Sequence, residues 1–302
     1  KLNKKPEAKM PNQSTPRIID AHIHVWTNDF EKYPLAPSVK EEDLRRWPKQ
    51  IPGSNLPSFT PEEYFSYSRQ VDDVRINLVQ MIWYDTDHSY ILDLIANNPD
   101  TYAGTGIISL DDPEPDKTMI ELSKRGCFAF REPPSELEHP AFEKLFTAGA
   151  EHELALSFNM GVDLLPKLDR LCQRFPDTPV ILDHVCHVGI KEAEYSKSDL
   201  ESLLRFSKHK RVLVKIGPLQ ALCSRRAPYF DVLPLIQEIV GAYGAHRCMW
   251  ESDSGGPITM SNPDTDYPAS IALIRDHADF LTSSEKNAIL WETAEGFFFR
   301  NR

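Results

Sequence analysis

The residues of this sequence that could do chemistry begin with two histidines, His22 and His24, in the stretch DAHIH at 20–24. Side chains alternate between the two faces of a strand, so a strand here would direct both imidazoles and the Asp20 carboxylate to one side. The apolar residues Ile18 and Ile19 precede them and indicate burial. A buried row of ionisable groups would cost several kcal/mol without partners, so the stretch is predicted to form a site.

The elements that must position these residues are apolar runs that alternate with amphipathic helical patterns. Eight strands are predicted, each followed by a helix, which favours a closed (β/α)₈ barrel of the TIM type over an open sheet. No glycine-rich phosphate-binding turn follows any strand, which removes the main reason to prefer a dinucleotide-binding fold. The predicted strands are 17–25, 76–83, 103–110, 126–131, 154–160, 179–184, 211–217 and 247–253.

A long proline-rich segment, 26–59, separates the first strand from the first helix. Its aromatic residues, Tyr33 and Trp47 among them, predict an ordered lid over a pocket. Capping boxes at Thr60 and at Thr282 predict the starts of the first helix, over 61–71, and of the last, over 282–298. The other helices are predicted over 89–97, 116–124, 141–151, 164–175, 198–207, 232–243 and 268–279.

The active groups of a parallel barrel lie at the carboxyl ends of its strands. Six polar residues fall at such ends in this sequence, namely His22 and His24 (first strand), Arg131 (fourth), Asn159 (fifth), His184 (sixth) and Asp253 (eighth). Three histidines and an aspartate could converge there on a divalent metal or on a polarised water. Six further histidines lie on helices or loops and are predicted to face solvent: His88, His139, His152, His209, His246 and His277.

Length, charge and cysteine usage limit what the protein could be. The 302 residues predict one barrel domain over 18–302, after a disordered tail over 1–17. A formal net charge of -11 argues against nucleic acid and membranes as partners and favours a small-molecule substrate. Five scattered cysteines, and a tail without an apolar run, predict a cytoplasmic location. Removal of a precursor segment and formation of a homo-oligomer stay open.

The motifs around the strand ends resemble those of the amidohydrolase superfamily, and most closely its lactonase branch. That branch contains fuconolactonases, rhamnonolactonases, 2-pyrone-4,6-dicarboxylate lactonase and sulfomuconolactone hydrolase. The resemblance runs from about Ile18 to the end of the chain, and it implies that His22, His24, His184 and Asp253 form the core of the site. The residues that carry it are Asp20-Ala-His22-Ile-His24-Val-Trp26, Leu182-Asp183-His184, Val214-Lys215-Ile216 and Met249-Trp250-Glu251-Ser252-Asp253.

Some positions depart from the pattern of that superfamily. Arg131 stands where other members carry a carboxylated lysine or a glutamate on the fourth strand, so one metal at most is expected. Asn159 replaces a histidine common on the fifth strand. Glu251 replaces the glycine of a Gly-Ser-Asp-Trp-Pro motif, and Cys186 and His187 follow His184 where glycine is usual.

Strand alternation gives one inference that the resemblance does not supply. If Asp253 faces the barrel interior, Glu251 faces it too, and Lys215 can face inward from the seventh strand. A buried carboxylate needs a partner, so Glu251 and Lys215 are predicted to form an ion pair.

The resemblance implies a hydrolase of a sugar-acid or other carboxylated lactone, and so a role in carbohydrate metabolism. Asp253 would act as general base. His22, His24 and His184, with Asp253, would hold one Zn²⁺ or Mn²⁺, or the histidines would polarise the carbonyl in a metal-independent enzyme. Arg131, Trp26 and Asn159 are predicted to contact the substrate. Two alternatives stay open: a metal-dependent decarboxylase of the same superfamily and a non-enzymatic small-molecule-binding barrel.

Overall fold

Eight parallel strands follow one another in chain order around the centre of the structure. The computed structural model describes residues 17–40, 58–69, 73–190, 194–256 and 265–300. Each predicted strand overlaps one observed strand. The strands are β1 (Arg17–Ile23), β2 (Asp73–Val79), β3 (Tyr102–Gly106), β4 (Cys127–Arg131), β5 (Ala155–Phe158), β6 (Val180–Leu182), β7 (Val212–Ile216) and β8 (Cys248–Trp250).

The first and last strands meet just beyond their carboxyl ends. Ile23 and Ser254 form a parallel bridge, and the N–H of His24 donates to the carbonyl of Ser254 at 2.9 Å. The N–H of Asp253 donates to the carbonyl of His22 at 3.0 Å. These bonds bring the His22 and Asp253 backbones together, and they confirm the predicted (β/α)₈ barrel.

Helices follow each of the eight strands along the chain, as the amphipathic patterns predict. They are α1 (Pro61–Ser68), α2 (Ser89–Asn97), α3 (Pro115–Ser123), α4 (Ala141–His152), α5 (Leu165–Arg174), α6 (Lys197–Phe206), α7 (Leu233–Tyr243), α8 (Tyr267–Ala272), α9 (Ser283–Asn287) and α10 (Thr293–Phe298). Two π-helical segments, Leu273–His277 and Ala288–Glu292, extend the last helices. Among the described residues, no helix has the length and apolar character needed to cross a membrane.

The two predicted capping boxes have different outcomes. At Thr282 the box is present: the hydroxyl accepts from the N–H of Glu285, and the Glu285 carboxylate accepts from the N–H of Thr282. At Thr60 the prediction is wrong, because the side chain makes no capping bond. The N–H of Glu63 donates instead to the backbone carbonyl of Thr60, at 3.1 Å. Local pattern therefore located the start of α1 but not the group that satisfies its first turn.

The loop that follows β1 is anchored on α2 over its described part. Tyr33 donates from its hydroxyl to Asp93 at 2.9 Å, and its ring packs on Tyr90. Trp26 and Phe59 exchange backbone hydrogen bonds where the chain returns to the barrel. Trp47, also assigned to the predicted lid, lies outside the described residues, and so do residues 1–16 of the predicted tail.

A buried carboxyl group follows the fourth strand. Glu132 follows β4 and is 2% exposed. Its Oε1 accepts from the N–H of Ile108 at 3.1 Å, and its Oε2 has no hydrogen-bond partner among the described residues. Burial raises the pKa of Glu132 from 4.5 to about 8, against the smaller lowering effect of the Ile108 bond. Glu132 is therefore uncharged at neutral pH.

Replacement of Glu132 by glutamine should change how stability depends on pH. A carboxyl whose pKa is raised in the folded state contributes stability that is complete below its unfolded pKa, near 4.5, and is lost as pH rises to about 8. Relative to Glu132→Gln, the unsubstituted protein should lose up to about 4 kcal/mol of unfolding free energy between pH 5 and pH 8. Urea denaturation at both pH values measures this, and a pH-independent difference would contradict it.

Candidate active site

Three side chains converge at the mouth of the barrel. The Nε2 atoms of His22 and His24 lie 3.2 Å apart, and the Oδ1 atom of Asp253 lies 3.8 Å from the first and 3.7 Å from the second. All three residues are less than 5% exposed. The structure thus brings together the predicted strand-one histidines and strand-eight aspartate, although more than 200 residues separate them in sequence.

The orientation of His24 is set from behind by the backbone. Its Nδ1 lies 3.0 Å from the carbonyl oxygen of Val79, at the end of β2. Because a carbonyl only accepts, Nδ1 carries the proton and Nε2 presents a lone pair to the mouth. Burial, and then the neighbouring His22, hold the pKa of His24 well below its usual value. His24 is therefore a neutral donor of an electron pair.

Arg131 reaches the same point from β4. Its Nη1 lies 3.3 Å from His24 Nε2, and the side chain is partly buried. The guanidinium therefore stands beside the lone pair of His24 and near the Asp253 carboxylate. Burial raises the pKa of Asp253, whereas His184, His22 and Arg131 act to lower it.

The donor set can be compared with that of a metal ion. Zinc ligands lie about 2.0–2.2 Å from the ion, so two tetrahedral ligands are roughly 3.3 Å apart. The two Nε2 atoms and Asp253 Oδ1 come close to this spacing, and His24 already has the second hydrogen bond that orients metal-bound histidines. The three residues therefore fit one ion. Arg131 would have to turn away from His24, because two cations cannot share one lone pair.

A buried ion pair lies under the mouth. Lys215 Nζ is 2.9 Å from Asp183 Oδ1 and 3.1 Å from His22 Nδ1, and all three side chains are fully buried. Burial raises the pKa of Asp183, but the Lys215 ammonium outweighs it with the other neighbours and holds this pKa well below its usual range. Asp183 also accepts from the Ser157 hydroxyl at 3.0 Å.

The predicted pairing of Lys215 with Glu251 is wrong, although both side chains face the interior as expected. Lys215 pairs with Met249 across β7 and β8, so Glu251 lies two residues further along. On the other side, Leu182 pairs with Val214, which brings Asp183 level with Lys215. The strand register therefore places Lys215 beside Asp183, and these two residues form the ion pair.

Glu251 binds His184 instead. Its Oε1 lies 2.7 Å from His184 Nδ1 and 3.0 Å from the His184 backbone nitrogen. Its Oε2 lies 3.2 Å from His22 Nδ1. Burial raises the pKa of Glu251, but His184 and His22 outweigh it and lower this pKa to about 2. His184 therefore belongs to a second group, with His22 and Glu251, and not to the group of His22, His24 and Asp253.

The chain after β6 takes an unusual conformation. Four consecutive non-glycine residues, 184–187, have φ between +46° and +61°. This left-handed turn brings the rings of His184 and His187 parallel, with centroids 6.4 Å apart. His187 is exposed, and its Nε2 lies 2.5 Å from Asn159 Oδ1. Asn159, a predicted substrate contact, is thus at the rim and next to His187, which the sequence did not predict as a site residue.

A buried polar network supports the segment that carries Asp253. Asp20 accepts from the backbone N–H and the hydroxyl of Ser252, at 2.9 and 2.5 Å, and from the Tyr64 hydroxyl at 2.9 Å. Ser252 and Ser254 are hydrogen-bonded at 2.7 Å. Burial raises the pKa of Asp20 to about 7, against these hydrogen bonds. Asp20 therefore fixes the residues on both sides of Asp253 rather than facing the mouth.

The prediction for His88 is wrong, because its side chain is buried, and the side chain of Trp26 is buried as well. Trp26, predicted to contact the substrate, is 1% exposed and packs against Phe59 and Trp83. His88, predicted to face solvent, is 6% exposed, and its Nε2 accepts from the N–H of Ile107 at 2.9 Å. Both follow from contacts between loops after different strands, which local sequence does not specify.

Gly256 contributes to the site through the side chain that it lacks. A Cβ atom there would lie 2.3 and 2.4 Å from the two carboxylate oxygens of Asp253. Real Cβ atoms do not approach other atoms so closely, so any other residue would displace the carboxylate. The only sign of this in the sequence is a glycine three residues after Asp253.

Comparisons with known proteins agree with the fold. A sequence model of the amidohydrolase family matches residues 19–300. No curated protein sequence matches at a significant level. A candidate 2-pyrone-4,6-dicarboxylic acid hydrolase from Pseudomonas putida has a similar structure, with a TM-score of 0.74 and 19% identity over 94% of this chain and 98% of that one.

Two other similar structures contain metal. An amidohydrolase from Burkholderia multivorans with bound zinc gives a TM-score of 0.72 and 17% identity, over 94% of this chain and 99% of that one. A dihydroxybenzoic acid decarboxylase from Polaromonas sp. JS666, with bound manganese and an inhibitor, gives a TM-score of 0.57 and 11% identity, over 94% of this chain and 97% of that one. At these identities the likeness concerns the fold.

A methyl group on Gly256 should move the Asp253 carboxylate without unfolding the protein. In Gly256→Ala, a crystal structure should have Asp253 Oδ1 displaced from its positions 3.8 and 3.7 Å from His22 and His24. Gly241→Ala on α7 is the matched control, since a Cβ there has no neighbour within 4 Å among the described residues. An unmoved carboxylate in Gly256→Ala would contradict the steric account.

Proposed function

The chain belongs to the amidohydrolase family, and we propose that it hydrolyses a lactone that carries a carboxylate, such as a sugar-acid lactone. The observation that carries the proposal is the placement of the Asp253 carboxylate against two imidazole nitrogens, with the Arg131 guanidinium beside them. A sugar-acid substrate would place the reaction in carbohydrate metabolism.

Asp253 would remove a proton from the attacking water. Its carboxylate lies at the mouth, within reach of a water held between it and the histidines. Burial raises its pKa, and a general base works best when its pKa approaches the working pH. As the water oxygen bonds to the lactone carbonyl, the proton passes to Asp253. It then returns to the ring oxygen when the carbon–oxygen bond breaks, which leaves a hydroxy acid.

His22 and His24 would face the carbonyl oxygen of the lactone. His24 presents a lone pair and cannot donate from Nε2 in the tautomer that Val79 fixes. With Asp253, the two histidines would hold one Zn²⁺ or Mn²⁺, which would supply a Lewis acid and a more acidic water. In a metal-independent enzyme, His22 and the Arg131 guanidinium would instead donate to the oxyanion.

Arg131 would bind the substrate carboxylate. A guanidinium matches the geometry of a carboxylate with two parallel hydrogen bonds, and Arg131 reaches the mouth from a rigid strand. Asn159, at the end of the neighbouring β5, would add an amide contact on the same side. The substrate would therefore lie between a binding side at β4 and β5 and a reactive side at β1 and β8.

Replacement of Asp253 by asparagine should abolish most of the activity, because asparagine cannot accept the proton from water. On a panel of sugar-acid and other carboxylated lactones, with and without added zinc or manganese, Asp253→Asn should lower kcat by about a hundredfold or more. Asp276→Asn is the control, since this exposed carboxylate pairs with Arg275 on the surface and should leave kcat unchanged.

The same panel separates the competing functions. Acid release without gas supports hydrolysis. Carbon dioxide release from carboxylated aromatic or unsaturated acids, with every lactone inert, would overturn the proposal in favour of a decarboxylase, which the manganese-bound decarboxylase of similar fold makes the second candidate. Binding without turnover of any compound would favour a non-enzymatic barrel.

Replacement of Arg131 by methionine should affect charged and neutral substrates differently. Loss of a hydrogen-bonded charge pair costs about 1.5–3 kcal/mol, so KM for a carboxylated lactone should rise roughly 10- to 100-fold. A neutral lactone of the same ring size serves as the internal control, and its KM should change little. Equal effects on both substrates would contradict the assigned carboxylate contact.

A further inference from the structure

Glu251 is fully buried. Its two hydrogen bonds both come from His184, and its second oxygen, Oε2, lies 3.2 Å from His22 Nδ1. A single oxygen, Oε1, accepts from both the ring Nδ1 and the backbone N–H of His184. Asp183, another buried carboxylate under the mouth, already neutralises Lys215 at 2.9 Å. Glu251 is therefore not required as the partner of the lysine, and its contacts point to a role toward His184.

The hydrogen bond from the His184 backbone N–H to the Glu251 carboxylate holds the start of the left-handed turn. His184 is the first of the four residues with positive φ, a conformation that costs about 1–3 kcal/mol for each non-glycine residue. Within the turn, the N–H of Cys186 donates to the carbonyl of Asp183 at 3.0 Å. The N–H of His184 has its acceptor outside the turn, in Glu251. The carboxylate therefore ties a strained segment to the end of β8.

The hydrogen bond between the His184 ring and the Glu251 carboxylate selects one tautomer and one orientation of the imidazole. A carboxylate only accepts, so Nδ1 must carry the proton, whatever the charge of the ring. Nε2 lies on the far side of the ring from Glu251. The ring is 4.7 Å from that of His22, and His184 is 4% exposed, so His184 adjoins the group of His22, His24 and Asp253.

We propose that Glu251 is a positioning residue, which fixes His184 with Nδ1–H directed into the barrel and Nε2 directed to the mouth. His184 then contacts the substrate and does not join His22, His24 and Asp253 as a fourth ligand. A carboxylate behind a histidine sets its tautomer and orientation in the same way in many sites. The kinetic part of this inference rests on the proposed hydrolase function, and the structural part does not.

Nitrogen NMR of the imidazoles tests the structural part without any substrate. In protein with ¹⁵N-labelled histidine, His184 should carry a proton on Nδ1, and His184→Gln identifies its signals by their loss. In Glu251→Ala the Nδ1-bound proton should be lost or should exchange rapidly with water. An unsubstituted protein in which His184 is protonated on Nε2 alone would overturn the inference, and so would an unchanged Nδ1 signal in Glu251→Ala.

Kinetics then separate positioning from general stability. Glu251→Ala should lower kcat about 10- to 100-fold with little change in KM. Glu251→Gln should recover most of the loss, because its amide oxygen can accept the same two bonds. Glu132→Gln, which alters a buried carboxyl that is hydrogen-bonded to Ile108 and to none of the clustered histidines and carboxylates, should leave kcat unchanged. Equal losses in Glu251→Gln and Glu251→Ala would overturn the positioning role, as would a fall in kcat that only follows a fall in melting temperature.

The two proposals fail in different ways. If no lactone is hydrolysed but the Nδ1 signal behaves as expected, the hydrolase proposal fails and the positioning of His184 stands. If a lactone is hydrolysed and Glu251→Ala retains full kcat, the hydrolase proposal stands and the role of Glu251 fails. If Glu251→Ala does not fold, the wild-type tautomer and the Glu251→Gln kinetics still decide.

Discussion

The structure depends on one constraint: every charge buried under the barrel mouth needs a partner that is also buried. Lys215 and Asp183 satisfy it across β6 and β7 at 2.9 Å. An ion pair of this kind adds little net stability, but removal of one partner leaves an isolated buried charge, which typically costs about 3–5 kcal/mol. The main effect of the pair is therefore to position His22, whose Nδ1 lies 3.1 Å from the lysine Nζ, rather than to stabilise the fold.

The arrangement of the side chains at the mouth follows from the ion pair of Lys215 and Asp183. Because Asp183 pairs with Lys215, the Glu251 carboxylate binds His184. His22 lies between the two carboxylates, and its Nε2 is directed to His24. Asp253 is held by the bond from its N–H to the His22 carbonyl and by the bonds of Asp20 to the preceding Ser252. Two sets of buried contacts, linked through the backbone of His22, thus position the side chains at the mouth. Backbone and buried side chains thus fix His22, His24 and Asp253 in place, as the preorganised catalysis of the proposed hydrolysis would require.

Much of this could be predicted from the sequence, because it rests on short-range pattern. Alternation within strands placed His22 and His24 on one face and turned Glu251 and Lys215 inward, and the alternation of strands and helices gave the barrel. Pairing between strands was not predictable in this way. The partner of Lys215 depends on the register of β6, β7 and β8, which no local pattern states.

The turn after β6 lay beyond prediction for a different reason. Asp183 and His184 are neighbours, and in a continuing strand their side chains would face opposite sides. The strand ends at Leu182, and the left-handed residues that follow let both side chains reach the interior. Four non-glycine residues with positive φ are too rare for any residue preference to indicate them. The same turn places His187 beside Asn159, where sequence reasoning expected Asn159 alone.

The most direct test of the account is where a water oxygen goes when the best lactone of the panel is opened in H₂¹⁸O. Attack at the carbonyl by a water that Asp253 deprotonates predicts one ¹⁸O atom in the new carboxylate of the hydroxy acid and none in its hydroxyl group. Label in the hydroxyl group, or turnover that releases carbon dioxide and incorporates no label, would contradict it.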